Sequence, residues 1–522
     1  MLEKYLNNRL ITLYLIPLII GSFTVFSFQP FNFTFINFII LPLFFYLIIY
    51  IKKKSKNIYR KKPYKKNLFI FGSLFGFGFF LSNLHWITHA LTFDENFKFL
   101  IPFGLLFIPL FLSLFFSLTT LIITPFLNLN FPSLLLFSAS LAISDFIRAK
   151  ILTGFPWNLW AYSFSWATEI LQILNLSGLF GFNLIIITIF TLPAVVFFKT
   201  KLIHKFLVFT SLALALFVFY ILGSHSINKN QNILVSSDKK YYIKAISPNF
   251  KLEYGLDSTK IKNRLDKLIK YSEPDKNQKT LFVWPEGVFS GYTFEDLFDL
   301  REAFSKSFFD NHLILFGVNR VDKKTLGIYN SMVIVNNRME IVREYNKQKL
   351  VPFGEYLPLE IILNKIGLKK ITEGQGSFLK GGRQNNLVID ELNILPLICY
   401  EIIFPEFLQL SDEKTNIIIN ISEDGWFGNS IGPHQHFVKG VFRAVEQNSF
   451  LVRSANKGIS AIINNKGGIV KKLNANEKGN IEFEVPLLTK QNQNKNKNDL
   501  IFFVLLITYI FIFGFYKKKN ND

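Results

Sequence analysis

Apolar residues fall into two regimes along this 522-residue chain. Crossing ~30 Å of hydrocarbon takes roughly 20 residues of helix, and stretches of about that length recur at 9–28, 33–51, 68–91, 99–127, 132–151, 170–198 and 206–222. Beyond residue 222 the pattern changes. Short β-rich runs such as "TLFVWPEG", "HLILFGVN", "NSMVIVNN" and "TNIIINIS" alternate with polar or helix-compatible segments, which predicts a separate α/β domain. A low-complexity linker, "KQNQNKNKND" at 490–499, then leads to an eighth apolar stretch at 500–516. The expected organisation is a membrane domain over 1–225 with seven spans, an α/β domain over 238–489, and a linker, eighth span and lysine tail over 490–522.

Composition agrees with a membrane protein, since half of the residues are hydrophobic. The formal charge of +21 invites a nucleic-acid reading. Its placement argues for topology instead. "KKKSKNIYRKKPYKK" (52–66), "KTKLIHK" (199–205) and the terminal "YKKKNND" all flank apolar stretches, where cytoplasmic loops collect Lys and Arg. Parity supports this: with 52–66 cytoplasmic, 199–205 is cytoplasmic four spans later. The seventh span then exports the α/β domain, and the eighth returns the lysines to the cytoplasm. The opening segment has no small-residue cleavage site and is expected to be a retained helix. "SDFIRAK" places Asp145 and Arg148 three apart near a helix end, as an interfacial snorkelling pair or a functional one. "GFPW" (154–157) predicts a turn at the bilayer edge.

The single cysteine, Cys399, excludes an internal disulfide and any zinc site with several thiolates. It closes the run "LPLIC" and is followed by Tyr400 and Glu401. Two other strand-like runs also end in reactive groups: "LFVWPEG" in Glu286, and "EYNKQKLVPFGEYLP" in Lys347, Lys349 and Glu355. In layered α/β folds strand ends carry the active groups. A carboxylate able to take the thiol proton, and an ammonium able to stabilise an oxyanion, would suit acyl transfer through a thioester. Singly, each residue has a bland reading as a buried thiol, a solvated lysine or a turn glutamate. Their joint occurrence gives the pattern weight. His434 and His436 in "GPHQHF" have no carboxylate at ligand spacing, so a structural or substrate-proximal role is expected and no metal or cofactor is called for.

The strings "VWPEG", "YNKQKLVPFGEYLP", "ICYEIIFPE" and "NISEDGWFGNSIGPHQHFVKGVFRAVEQNSFLVRSANKGISAII" resemble successive motifs of the nitrilase (carbon-nitrogen hydrolase) superfamily, and within it the apolipoprotein N-acyltransferases. The resemblance covers the whole chain. It implies an α-β-β-α sandwich on a polytopic helical base, with Glu286 as general base, Lys347 as oxyanion stabiliser and Cys399 as nucleophile. Glu355 would position the lysine, while Asn330, Tyr400, Glu401 and Trp426 match supporting residues; Trp426 reads equally well as a core aromatic. The implied reaction takes an acyl chain from a membrane phospholipid onto Cys399 and passes it to the α-amino group of a diacylglyceryl-modified N-terminal cysteine of an apolipoprotein. The implied setting is the cell inner membrane, with a monomeric enzyme, a periplasmic catalytic domain and both termini cytoplasmic. Four departures from the family pattern stand out: Ser247 in "AISPNF", Glu423 in place of Asn, Ala455 in "SANKG", and Asp145 where Glu is common. A membrane-tethered amidase would use the same three residues and let water resolve the thioester. A transporter with an accessory domain would need more ionisable residues within its spans than this chain has.

Overall fold

A computed structural model describes residues 6, 8–54, 64–235, 239–253, 255–360, 370, 377–383, 386–410, 415–487 and 498–519. Most of the basic run at 52–66 and of the linker at 490–499 lies outside the described residues. The chain divides into two units, one of residues 1–88, 98–226 and 494–522, the other of 89–97 and 227–493.

In the first unit, seven helices of the described chain are long and apolar enough to cross a membrane: Thr34–Lys54, Tyr64–Thr92, Glu95–Phe126, Phe131–Lys150, Leu174–Phe197, Leu202–Val235 and Asp499–Lys519. The expected span at 9–28 differs. Its helix, Ile11–Ser27, is shorter than the others. It passes from π to α to 3-10 geometry and ends where Phe28 turns extended. Apolar burial drives little helix association in lipid, so close backbone approach has to hold such helices together. Gly72 and Gly76 supply it on Tyr64–Leu84, because a Cβ at either would lie 2.8 Å from the Cα of Ser117 or Ser113 on Ile101–Ile123. The Ser73 and Ser117 hydroxyls meet across the same seam at 2.7 Å. Asp145 and Arg148 pair at 2.9 Å and are both buried, which overturns the snorkelling reading. Asn183 donates to the other Asp145 oxygen, and Arg148 donates to the carbonyls of Phe155 and Asn158. The pair therefore braces the "GFPW" turn from inside the helical unit.

The second unit is a four-layer α-β-β-α sandwich. One six-stranded sheet runs β12-β1-β2-β3-β4-β5, with β1 Lys240–Ser247, β2 Thr280–Val283, β3 His312–Val321, β4 Ile328–Val335, β5 Ile341–Asn346 and β12 Gly479–Pro486. The other runs β11-β10-β9-β8-β7-β6, with β6 Leu387–Ile389, β7 Leu392–Ile398, β8 Ile417–Glu423, β9 Phe450–Asn456, β10 Ser460–Ile463 and β11 Ile469–Leu473. Side chains alternate across a strand, so consecutive apolar residues are divided between two cores. Leu281 and Val283 face the other sheet with Ile398, Ile421 and Val452. Phe282 and Trp284 face outward, under helix α1 (Ser258–Ser272) and helix α2 (Arg301–Ser307). On the far side, helix α3 (Gly432–Gln447) covers the second sheet, with Gly440 against Leu451.

Strand direction decides what shares a rim. β1, β2 and β3 are parallel, as are β7, β8 and β9. β3, β4 and β5 run antiparallel in turn, so β5 ends at the same edge as β2 and β3, and β4 begins there. Asn330, third in β4, pairs with Asn319 near the end of β3.

Candidate active site

Glu286, Lys347 and Cys399, each just past a strand, come together at that edge. Glu286 follows β2 by three residues, Lys347 follows β5 directly, and Cys399 follows β7 directly. Lys347 is buried, and its Nζ donates to Glu355 Oε1 at 2.8 Å, with Glu286 Oε1 at 3.5 Å. Burial alone would pull the ammonium pKa down. The carboxylates Glu286 and Glu355, together with Cys399, outweigh it and raise the value, so the lysine stays charged. Asn330 Nδ2 donates to both carboxylates, at 2.8 Å to Glu286 and 2.7 Å to Glu355, and fixes their spacing. The second Glu355 oxygen accepts from the Val351 amide, which folds the loop after β5 back on itself.

Cys399 is buried and sits at φ 48, in the left-handed region that a residue with a Cβ enters at a cost of ~1 kcal/mol. Such a conformation persists only where its surroundings enforce it. Burial pushes the thiol pKa up and Glu286 adds to the rise, while Lys347 opposes it. A thiolate here therefore needs a base and a nearby cation.

Glu401, fully buried, is the brace between two of these loops. Its Oε2 accepts from the Ile398 amide just ahead of Cys399. Its Oε1 accepts from Tyr345 and from the amides of Gln348 and Lys349, just after Lys347. Burial lifts its pKa to about 7, against the pull of these donors. The cysteine turn and the lysine loop are thus hung on one carboxyl group. Tyr400 packs edge-on against Phe404. Lys349 stays half-buried, with its ammonium over the Phe404 ring and near Glu406, away from the cluster of carboxylates around Lys347.

Trp426 is not a core residue: it is partly exposed in the turn after β8, edge-on to Phe93 of the 89–97 segment. Two of the family departures meet each other, the Ser247 hydroxyl donating to the Glu477 carbonyl and reaching the Ala455 carbonyl at 3.4 Å. The third, Glu423, bears on the site. Its amide donates to Glu286 Oε2 at 3.1 Å, and its carboxyl accepts from Gly425 N and Asn456 Nδ2. Burial raises its pKa to about 8, with Glu286 and Asp424 pushing the same way.

A second buried cluster lies behind Cys399, and of its members the sequence reading named only His436. Asp424 accepts from Ser422 Oγ at 2.7 Å and from Arg453 at 2.8 and 3.0 Å, with His436 Nδ1 at 2.9 Å. All four side chains are buried. Arg453 also holds Asn420, which donates to the Leu397 carbonyl, and the His436 ring reaches the Cys399 backbone. One signal was available. An arginine inside the strand-like run "FLVRSAN" needs a buried acid, and "SED" supplies one.

Comparison with known proteins adds to this geometry. The profile of the apolipoprotein N-acyltransferase N-terminal domain matches residues 20–192, and that of carbon-nitrogen hydrolases matches 257–492. The chain is 30% identical over 487 residues to an apolipoprotein N-acyltransferase of Rhizobium etli, covering 90% of this chain and 89% of that protein. It is 35% identical over 458 residues to one from Rickettsia typhi, covering 86% and 88%. Among solved structures, Saccharomyces cerevisiae Nit3, of the nitrilase superfamily, aligns at TM-score 0.35 and 17% identity, covering 48% of this chain and 91% of its own. A Nesterenkonia amidase of that superfamily aligns at 0.34 and 16%, covering 47% and 90%.

Proposed function

Because the chain belongs to the apolipoprotein N-acyltransferase family, we propose that Cys399 carries an acyl group between a membrane phospholipid and a lipoprotein amine. Glu286 takes the thiol proton, and Cys399 Sγ attacks the ester carbonyl of the phospholipid. The tetrahedral oxyanion is stabilised by Lys347, held in place by Glu355 and Asn330. On collapse Glu286 returns the proton to the leaving alcohol, which departs as lysophospholipid, and the thioester remains. In the second half-reaction the α-amino group of the diacylglyceryl cysteine attacks that thioester and loses its proton to Glu286, and the thiolate leaves. The carrying observation is Lys347, buried between two carboxylates at the sheet edge where β7 delivers Cys399. A multi-pass chain suits two lipid-anchored substrates. The proposed arrangement places the membrane domain at 1–225, a periplasmic catalytic domain at 238–489 and a cytoplasmic tail after the eighth span, in the inner membrane, with a monomer as the working unit.

Incubating the purified protein with phospholipid labelled in its acyl chain is expected to leave label on the protein that neutral hydroxylamine removes. Lys347→Ala is expected to load at least ~100-fold more slowly. No such label, or label that survives Cys399→Ala, would overturn the thioester. Transfer to a diacylated lipopeptide supports the transferase, and release as free fatty acid in its presence supports an amidase.

A further inference from the structure

The cluster behind Cys399 is too ordered to be read as packing alone. The parallel register of β7 and β8 ends on the pair Ile398 and Ile421, so Cys399, just past β7, and Ser422, still in β8, are the next residues on neighbouring chains, and the Ser422 side chain reaches the Cys399 thiol. The Ser422 hydroxyl is buried with one proton, which it donates to Asp424 Oδ1 at 2.7 Å. Asp424 does not depend on that proton. Arg453 alone makes two contacts to its carboxylate, and His436 Nδ1 lies against it as well.

We infer that Ser422 is a further catalytic residue, a hydroxyl switch that accepts from the Cys399 thiol at rest and donates to Cys399 Sγ once the thiol proton has gone to Glu286. In this step the S–H bond breaks and Glu286 gains the proton. The Ser422 proton stays on its oxygen and only changes acceptor, from Asp424 Oδ1 to the thiolate. Arg453 and His436 are positioning residues, because they keep Asp424 satisfied while the hydroxyl is turned away. The same rotation puts a donor between the thiolate and the Asp424 charge, which otherwise opposes ionisation.

The charged and titratable groups around this thiol come from every surrounding element: Glu286 after β2, Lys347 after β5 and Asp424 after β8 act on it directly, His436 on α3 reaches the Cys399 backbone, Arg453 of β9 lies behind them, and Tyr400 and Glu401 share its turn. Ser422 lowers the thiol pKa where burial, Glu286 and Asp424 raise it. A hydrogen bond to a charged group is worth about one to two pH units.

The inference rests on Cys399 being the acyl-bearing nucleophile, and its test reads the thiol without acyl transfer. As Cys399 is the only cysteine in the sequence, iodoacetamide alkylation of the detergent-purified full chain followed against pH reports it alone. Ser422→Ala is expected to move the alkylation profile up by about one to two pH units, which is about 10- to 100-fold slower at a fixed pH below the midpoint. Ser422→Thr, which keeps the hydroxyl, is expected to restore it. An unchanged profile in Ser422→Ala, or equal shifts in both variants, would overturn the inference. Should the alanine chain fail to fold, the S–H stretching band of the wild-type protein, assigned by its loss in Cys399→Ala, decides instead: a frequency lowered by hydrogen bonding supports the switch, and a free-thiol frequency overturns it. Failure of the wild type to load acyl label would count against the proposed function separately.

Discussion

Glu423 shows how a single side chain can sit between structure and chemistry. Its amide holds Glu286, its carboxyl holds Asn456, and Asn456 in turn both donates to and accepts from Phe250 in the loop after β1. Folding raises its carboxyl pKa from 4.5 to about 8, so the folded state binds that proton more tightly than the unfolded chain does. The stabilisation is complete below about pH 4.5 and is lost as pH rises through 8. The thermal midpoint of the wild type is therefore expected to fall more steeply between pH 5 and 9 than that of Glu423→Gln, measured at one scan rate; parallel curves would show that this carboxyl does not titrate as described. Glu286 and Cys399 were legible in the sequence because each ends an apolar run, whereas Lys347 was told from Lys349 only by the family resemblance. Their partners were less so. Asn330 was named only through the family resemblance, because hairpin parity is what brings it to the site, and Asp424, Arg453 and His436 meet across separations of up to 29 residues that no local pattern records.

The long apolar stretches of the helical unit were visible as elements, but their packing faces were not. A helix that is apolar on all sides has no stripe to mark its inner face. The marks are instead small residues: Gly72, Ser73 and Gly76 face Ser113, Ser117 and Thr120 across one seam. Gly76→Leu is expected to cost several times more thermal stability than Ser73→Ala, since it drives a side chain into the Ser113 backbone while the other removes one hydrogen bond worth about 0.6 kcal/mol in a membrane. Equal losses would mean that the seam can open. The buried Asp145–Arg148 pair was equally opaque to pattern reading, because burial depends on Asn183 and the Phe155–Asn158 turn arriving from elsewhere in the chain.

At the level of the molecule, the proposed orientation has a direct check. In a Cys399→Ala background, a cysteine placed at exposed Lys324 is expected to react with a membrane-impermeant thiol reagent in spheroplasts, and one at exposed Lys201 only after permeabilisation. The reverse pattern would invert the topology. The sandwich unit also has a property that bears on how the protein can be taken apart. It is assembled from two separate stretches, 89–97 and 227–493, with Phe93 against Trp426 and His89 so close to Gly428 that a Cβ there would lie 2.7 Å from the ring. A unit that is discontinuous in sequence cannot be released by one cut or expressed as one contiguous fragment. A truncation beginning at residue 227 would retain all three residues of the proposed chemistry and still lose the contacts of Phe93 with Trp426 and of His89 with Gly428, so a fragment that keeps the whole unit must begin at or before residue 89.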